Sequence, residues 1–320
     1  MGKEEISPLR KLQLTELEIL KDVIRICEEE NLRYFLMGGT FLGAVRHKGF
    51  IPWDDDIDIG MPREDYEKFF EIAQEKLKDS YLYKNFKKGN EKTIYFSRVE
   101  DQNMQIEDQS AIKKRTRNAW IDIFPLDGMP DNPIIRKVRQ CRLLFARLLL
   151  QYSQFSIIVN QDLPNRPFVE KVLIKIGNIF NFEKHLKTEK CLYKLDMLLK
   201  KNSYDNSKYV VNFMGAYKFR EMFKKETYDH TDVYNFETER VVAPKDYDFV
   251  LTQMYGDYMK IPPEHEQNKH HSKVIDTDTT LHEPVKYERH DRINTNKSPT
   301  KEEKDHHTKK EEDGRVWKKL

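Results

Sequence analysis

The alternating segment Asp56-Ile57-Asp58-Ile59 constrains the fold of this chain more than any other. On a β-strand, alternate side chains point to the same side, so both aspartates face one way and both isoleucines face the other. Two like charges ~4 Å apart repel by about 4 kcal/mol at an effective dielectric constant of about 20. Such carboxylates can instead converge on one divalent cation, because Mg²⁺ takes oxygen ligands at about 2.1 Å. The segment therefore predicts a strand from Asp56 to Gly60 that carries a metal site.

A glycine pair precedes this strand, in the order Gly38-Gly39-Thr40. Glycine lets a phosphate approach the backbone closely, and the first turn of a following helix offers its N–H groups to an anion. We therefore predict that these three residues bind phosphate and that the helix opens near Gly39 or Thr40. Two basic residues that follow, Arg46 and Lys48, are further candidates for neutralising phosphate charge,.

A third acidic residue, Asp122, lies between Ile121 and Ile123 and is predicted to project from a second strand. If the two strands are neighbours, Asp122 meets Asp56 and Asp58 at one place. Three carboxylates suit phosphoryl or nucleotidyl transfer, because the cations that they share can stabilise both the attacking and the leaving oxygen. A carboxylate can also accept the proton of an attacking hydroxyl. Asp122 is thus a candidate third ligand or base, and a buried structural aspartate is the alternative.

The overall composition excludes some classes of function. The chain has 320 residues and 34% of them are charged, yet its formal net charge is only +2. That balance gives no indication of nucleic-acid binding. The three cysteines are widely spaced and form neither a disulfide framework nor a zinc-binding pattern,. Reduced cysteines and an N-terminus without an apolar signal core predict a cytoplasmic protein.

The pattern of apolar residues predicts an α+β fold in four parts. Residues 1–130 alternate short strands with amphipathic helices and are predicted to form the catalytic core,. Residues 131–205 are predicted to form a helical subdomain, and residues 206–263 the C-terminal part of the main domain. Residues 264–320 carry almost no bulky apolar side chain. Because such a segment cannot offset its ordering entropy, we predict a disordered, charged tail.

Within the helical region, the segment from Val138 to Ser153 is strongly apolar. Arg142 and Arg147 interrupt it, which leaves far fewer than the ~20 apolar residues that a membrane span needs. We expect a core helix of the helical subdomain. A helix that lies on the surface of a bilayer is the alternative.

Longer motifs around these residues resemble a known family. The block from Met37 to Gly60 closely resembles the LicD family, which is named for bacterial phosphorylcholine transferases and is distantly similar to the fukutin-type proteins. The segments from Ala119 to Gly128 and from Tyr255 to Pro263 are similar to the family's second motif and its C-terminal end. The resemblance implies a nucleotidyltransferase-like fold, with a small mixed sheet flanked by helices and a divalent metal site.

Carried over by position, the resemblance implies that Asp56 and Asp58 are ligands of Mg²⁺ or Mn²⁺ and that Asp122 is the third ligand or the base. The glycine pair and the threonine after it would hold the phosphates of the donor. The implied reaction transfers a phosphoryl-alcohol group, phosphocholine in first place, from a CDP-linked donor such as CDP-choline. The acceptor would be a hydroxyl of a cell-surface glycan, such as teichoic acid, lipopolysaccharide or capsule, and CMP would leave.

Two other functions stay open from the sequence. One is a nucleotidyltransferase that moves NMP from an NTP, and the other is a non-catalytic nucleotide- or glycan-binding protein on the same scaffold. Choline specificity would need an aromatic cage, worth about 0.5–2 kcal/mol for each cation–π contact. Trp53, Trp120, Tyr95 and Tyr217 are candidate walls, although core packing also explains each of them. Peripheral contact with the inner face of a membrane is open as well.

Overall fold

The structure, a computed structural model, describes residues 6–108, 115–158, 167–267 and 272–276. Its strands in chain order are β1 (Phe35–Leu36), β2 (Asp58–Pro62), β3 (Tyr81–Lys84), β4 (Ser97–Asp108), β5 (Arg115–Met129), β6 (Tyr209–Val211), β7 (Met222–Lys224), β8 (Thr231–Phe236), β9 (Glu239–Pro244) and β10 (Ser272–Asp276). Its helices are α1 (Pro8–Glu29), α2 (Gly38–Arg46), α3 (Arg63–Lys76), α4 (Pro133–Tyr152), α5 (Phe155–Ile158), α6 (Phe168–Phe180), α7 (Thr188–Leu199), α8 (Glu226–Asp229), α9 (Tyr247–Tyr255) and α10 (Glu264–Gln267).

A mixed sheet forms the centre of the fold. Its strands pair in the order β1-β2-β5-β4-β10, with β3 added to β4, and β6 joins β5 to β7. β2 and β5 run parallel, whereas the other described pairings are antiparallel. β8 and β9 form a separate two-stranded sheet. Helices flank the central sheet, with α1 against β4 and β5 and α3 against β2 and β5. The predicted α+β fold is confirmed.

The segment that carries the glycine pair and the aspartates differs in its boundaries from the prediction. Helix α2 begins at Gly38, after Met37 in extended conformation at φ −123°. The predicted strand from Asp56 begins only at Asp58 and continues to Pro62. β1 has two residues, and beyond them the Met37 N–H donates to the Asp58 carbonyl at 3.0 Å. The partner strand is thus too short to extend the ladder back to Asp56.

The region after β5 is helical, as predicted. The inner face of α4 packs against α7 through a shared core that includes Leu143, Ala146 and Leu195, which confirms a core helix in this position. A buried arginine at the start of α3, Arg63, ties this region to the sheet. Its guanidinium donates to Asp127 of β5 at 2.7 and 2.9 Å and to Asp196 of α7 at 3.3 Å.

The C-terminal part joins the same core as the N-terminal part. One cluster of buried residues extends from Leu17 of α1 to Met254 of α9 and Tyr258. β6 also pairs with β5, so residues 206–263 complete the sheet that residues 1–130 begin. The three boundaries between the four predicted parts stay predictions.

Most of the predicted tail lies outside the described residues. Its two described parts have regular structure, because Glu264–Gln267 forms α10 and Ser272–Asp276 forms β10. β10 pairs with β4, with Ser272 opposite Asp108. An open sheet edge binds a strand through its backbone, so apolar content could not detect this pairing. No helix within the described ranges is long and apolar enough to cross a membrane.

Candidate active site

Three strands bring charged side chains from distant parts of the sequence into one row. Asp58 of β2 lies opposite Asp122 of β5 in the parallel pair, and Asp122 lies opposite Arg98 of β4 in the antiparallel pair. Residues opposite each other on neighbouring strands point to the same face. Asp122 and Asp58 are thus neighbours, which meets the condition that the sequence left open. Their functional roles stay predictions.

A cavity of about 420 Å³ opens beside this row. One wall carries the glycine pair and three carboxylates, from Asp54, Asp56 and Asp58. A second wall comes from the C-terminal part of the chain, and its polar and aromatic members are Asn212, Tyr217, Glu221 and Tyr255. Among the described residues that line the cavity, none is a lysine or an arginine.

The glycine pair leaves no space for a side chain at either position. Gly38 has φ +53°, which favours glycine, and an added Cβ would lie 3.3 Å from Asp58 Oδ2,. A Cβ on Gly39 would lie 2.7 Å from Asp54 Oδ2. The two carboxylates therefore pack directly against the backbone at the first turn of α2. Thr40 is buried, and its Oγ1 accepts the Asp58 N–H at 2.8 Å, so it holds β2 in position.

The Asp56 and Asp58 carboxylates make no direct contact with a basic side chain among the described residues, although the charge of Arg98 acts on Asp56 from nearby and lowers its pKa. Neither carboxylate accepts a hydrogen bond or forms an ion pair with a described residue. Burial raises the pKa of both groups well above the ordinary value, and repulsion from the neighbouring aspartates raises it further. Burial also raises the pKa of Asp54, to about 6. Half-buried carboxylates that open onto a cavity and are costly to ionise fit an oxygen-ligated cation.

Asp122 differs from these two aspartates, because its carboxylate forms an ion pair with Arg98. Nε and Nη2 of Arg98 donate to the two carboxylate oxygens of Asp122 at 2.6 and 3.1 Å. The guanidinium also stacks on Trp120 at 4.2 Å from the ring centre. Burial raises the pKa of Asp122, and Arg98 counteracts that rise. Within the described residues no group of three or more Asp, Glu, His or Cys side chains is arranged to hold a metal ion.

The two basic residues at and just beyond the end of α2, Arg46 and Lys48, do not line the cavity. Arg46 donates to the Tyr258 carbonyl at 2.7 Å and lies over Trp53. Lys48 is exposed, and its Nζ donates to the Val45 carbonyl at 3.3 Å. The reason is the helix itself, since Arg46 lies eight residues beyond Gly38 and thus about 12 Å along the axis. A phosphate-binding role for Arg46 and Lys48 stays a prediction.

Of the four aromatic residues that were candidates for a choline-binding cage, two line the cavity and two do not. Trp53 and Tyr217 line the cavity, whereas Trp120 stacks on Arg98. Tyr95 is buried elsewhere and donates to Asp196 at 2.8 Å. Tyr255, which belongs to the C-terminal motif but was not assigned to the site from the sequence, lines the cavity as well.

Sequence reasoning missed Glu221, which the local sequence does not distinguish from other charged residues. Its carboxylate is 3% exposed and accepts the Tyr217 N–H at 2.9 Å and Asn212 Nδ2 at 2.8 Å. Burial raises the pKa of Glu221 to about 7, and these hydrogen bonds limit the rise. A Cβ on Gly215 would lie 2.3 Å from Glu221 Oε1, so the segment 212–217 folds closely around this carboxylate.

Comparison with known proteins agrees with this geometry. A family model described as LicD/FKTN/FKRP, nucleotidyltransferase domain, matches residues 31–137. Over 272 residues the chain is 30% identical to the lipopolysaccharide cholinephosphotransferase LicD of Haemophilus influenzae, which covers 82% of this chain and 96% of that protein. The human ribitol 5-phosphate transferase FKRP is 46% identical over 48 residues, 15% of this chain and 10% of that protein. The matched range 31–137 contains the glycine pair and all three predicted aspartates.

Proposed function

The chain belongs to the LicD family, and on this premise we propose that it transfers a phosphoryl-alcohol group from a CDP-linked donor to a hydroxyl of a cell-surface glycan. Phosphocholine is the favoured group. One relative is named a cholinephosphotransferase and another a ribitol 5-phosphate transferase. A phosphorylated alcohol is common to the two names, while the alcohol differs. The relatives therefore support the class of reaction, and the alcohol has to be argued from the site.

The observation that carries the proposal is the pair of carboxylates, Asp56 and Asp58, that lack a hydrogen bond or ion pair and open onto a cavity whose described lining contains no lysine or arginine. A diphosphate donor would bring more negative charge to the same place. Mg²⁺ is commonly held by one or two carboxylates together with substrate phosphates. Two open aspartates thus fit Mg²⁺ or Mn²⁺ without a third protein ligand. When bound, such a cation would neutralise charge on the transferred phosphoryl group and on the leaving phosphate.

The residues around the aspartates would orient the donor. The backbone N–H groups at the first turn of α2 would hold a phosphate. The carboxylates of Asp58 and Asp54 pack against Gly38 and Gly39, so a bound cation would have to neutralise their charge there. Thr40 would act indirectly, through its hydrogen bond to the backbone of Asp58. Asp122 stays a predicted third ligand or base, and in either role it would have to exchange its ion pair with Arg98 for the new partner.

The second wall of the cavity, from the C-terminal part of the chain, suits the alcohol end of the donor. Tyr217 and Tyr255 meet edge to face with ring centres 5.4 Å apart, and Trp53 lines the same cavity. Glu221 adds a carboxylate to this wall. Aromatic faces next to an anion attract a quaternary ammonium group. A polyol such as ribitol would instead be bound through hydrogen bonds, so the aromatic rings are the reason that choline is favoured here.

The decisive experiment incubates the full chain with Mg²⁺, lipopolysaccharide as the source of acceptor hydroxyls, and four donors: CDP-choline, CDP-ethanolamine, CDP-glycerol and CDP-ribitol. Release of CMP is followed for each. We expect turnover with CDP-choline and a loss of at least about 10²-fold in Asp56→Asn and Asp58→Asn. Asp79→Asn, an exposed aspartate before β3, is the matched control and should behave as wild type. Full activity in either site variant would contradict the metal assignment, and no CMP from any donor would contradict the proposed reaction.

Nucleotidyl transfer is the second candidate, favoured by the description of the matching family model. Product analysis separates the two reactions, since pyrophosphate from an NTP would indicate this one and CMP the first. A non-catalytic scaffold would bind CDP-choline in calorimetry without Mg²⁺ and without turnover.

A further inference from the structure

The outward face of α4 is apolar, which is the reverse of the usual arrangement on a protein surface. Ile134, Val138, Cys141 and Phe145 are spaced by three or four residues, so they form one line along the helix,. We call these four residues the α4 stripe. Ile134 is 74% exposed, Val138 54% and Phe145 59%. Cys141 is exposed too.

The fold does not require the α4 stripe. The opposite face of α4 carries Leu143, Ala146 and Leu150, which are buried against α7 and stabilise the helix in its place. Next to the stripe, Ile135 is 57% and Leu144 44% exposed. A continuous apolar surface of this kind marks a site of interaction with another molecule or a membrane.

The charge on α4 identifies the kind of partner. The helix contains no acidic residue and five basic ones: Arg136, Lys137, Arg139, Arg142 and Arg147. Arg139 and Arg147 point inward and donate to backbone carbonyls at 2.8 and 2.7 Å. Lys137 and Arg142 are exposed and, at 100° per residue, lie on the two sides of the stripe,. Neither forms an ion pair with a described residue.

From this arrangement we infer that the α4 stripe, with Lys137 and Arg142 at its sides, is a docking surface for an anionic phospholipid membrane. A helix that lies in the interface of a bilayer buries apolar side chains at the acyl boundary and places lysine and arginine at the headgroups. A second copy of the chain is a poor occupant, because two basic helices would then face each other.

Helix α6 repeats the pattern and supports the same partner. Its outward residues Phe168 and Ile179 are 80% and 66% exposed, and Lys171 and Lys175 are exposed between them. The Tyr152 hydroxyl at the end of α4 donates to the Leu173 carbonyl of α6 at 2.9 Å, so the two helices are adjacent. A second apolar and basic helix thus lies next to the end of α4.

Co-sedimentation with vesicles tests the inference on the full chain. The probes are vesicles of pure phosphatidylcholine and vesicles of equal parts phosphatidylcholine and phosphatidylglycerol. We expect the wild type to bind the second kind at least about tenfold more tightly, and to be released by high salt. The double variant Val138→Ser with Phe145→Ser and the double variant Lys137→Glu with Arg142→Glu should each lose at least about tenfold.

Matched controls separate this surface from general effects. Met259→Ser with Ile261→Ser removes two apolar side chains that are 57% and 55% exposed after α9. Lys224→Glu with Lys245→Glu makes the same change of net charge elsewhere on the surface. Both controls should bind vesicles as wild type does. Absence of binding to the anionic vesicles would overturn the inference. So would a dimer in analytical ultracentrifugation that the stripe variant dissociates while vesicle binding stays unchanged.

Discussion

Replacing Arg98 by methionine tests whether this guanidinium compensates the buried aspartates in the absence of metal. Arg98 and Asp122 are each 8% exposed, and both oxygens of Asp122 accept from Arg98. Methionine keeps the apolar stem but removes the charge, which leaves Asp122 buried beside Asp58. Removing one partner of a buried ion pair typically costs about 3–5 kcal/mol. We expect the free energy of unfolding to fall by that amount in metal-free buffer.

Urea unfolding, followed by circular dichroism with and without Mg²⁺, measures the effect. In the Arg98→Met background, Asp122→Asn should recover at least about 2 kcal/mol, because the uncompensated charge is gone. A ligand present at about 100 times its dissociation constant stabilises a protein by about 2.7 kcal/mol. If Asp122 becomes a metal ligand once Arg98 no longer holds it, Arg98→Met gains more from Mg²⁺ than wild type does.

The control is Lys21→Met, which removes a pair with Glu18 on the surface of α1, where side-chain exposures are 23% and 42%. Exposed pairs contribute about 0–1 kcal/mol, so this variant should unfold nearly as wild type. If Arg98→Met costs no more than this control, or if Asp122→Asn restores nothing, the reasoning about the carboxylate row is refuted.

Three further predictions concern single positions. Gly39→Ala should lower CMP release at least about tenfold with the fold retained, because its Cβ would lie 2.7 Å from Asp54 Oδ2,; wild-type activity would show that this contact does not position the site. Arg63→Met should lower the free energy of unfolding in urea by about 3–5 kcal/mol, because Asp127 is 1% exposed,; a change below about 1 kcal/mol would contradict a buried ion pair as the link between sheet and helices. Burial raises the pKa of Glu221 from 4.5 to about 7, so the folded chain retains a proton that the unfolded chain releases. Its contribution to stability is full below pH 4.5 and is lost as the pH rises to about 7, by up to about 3 kcal/mol. Glu221→Gln should show a smaller decline across that range in urea unfolding, and an unchanged decline would exclude Glu221 as its source.

Part of the site could be predicted from the sequence, because it depends on the conformation of residues that are neighbours in the chain. Alternation with isoleucine indicates that Asp58 and Asp122 project from strands, and the glycine pair indicates a turn that a phosphate can approach. The sequence left it as a condition that the two strands are neighbours, and the parallel register of β2 and β5 meets that condition by placing Asp58 and Asp122 side by side. Strand boundaries were less predictable. They depend on the two-residue length of β1, which no local pattern encodes.

The nonlocal part of the site could not be predicted for an equally physical reason. Arg46 and Lys48 are close to the aspartates in sequence, but α2 places Arg46 about 12 Å along its axis from Gly38, and neither residue lines the cavity,. Arg98 and Glu221 are distant in sequence, yet strand pairing and a tight turn bring them to the cluster. Arg98 and Glu221 reach the charged site only through tertiary contacts, and the sequence of a single chain does not reveal those contacts.

The division of the cavity into two walls has a consequence for the choice of alcohol. The wall with the glycine pair and the aspartates lies within residues 31–137, the range that the family model matches. Tyr217, Glu221 and Tyr255, on the second wall, lie outside it. On the proposed function, the first wall would serve any phosphorylated alcohol, since it would contact the phosphate and the cation alone. The second wall would meet the alcohol, which would allow one family to include both a choline enzyme and a ribitol enzyme. We therefore expect the aromatic rings of this chain to favour a cationic alcohol over a neutral polyol.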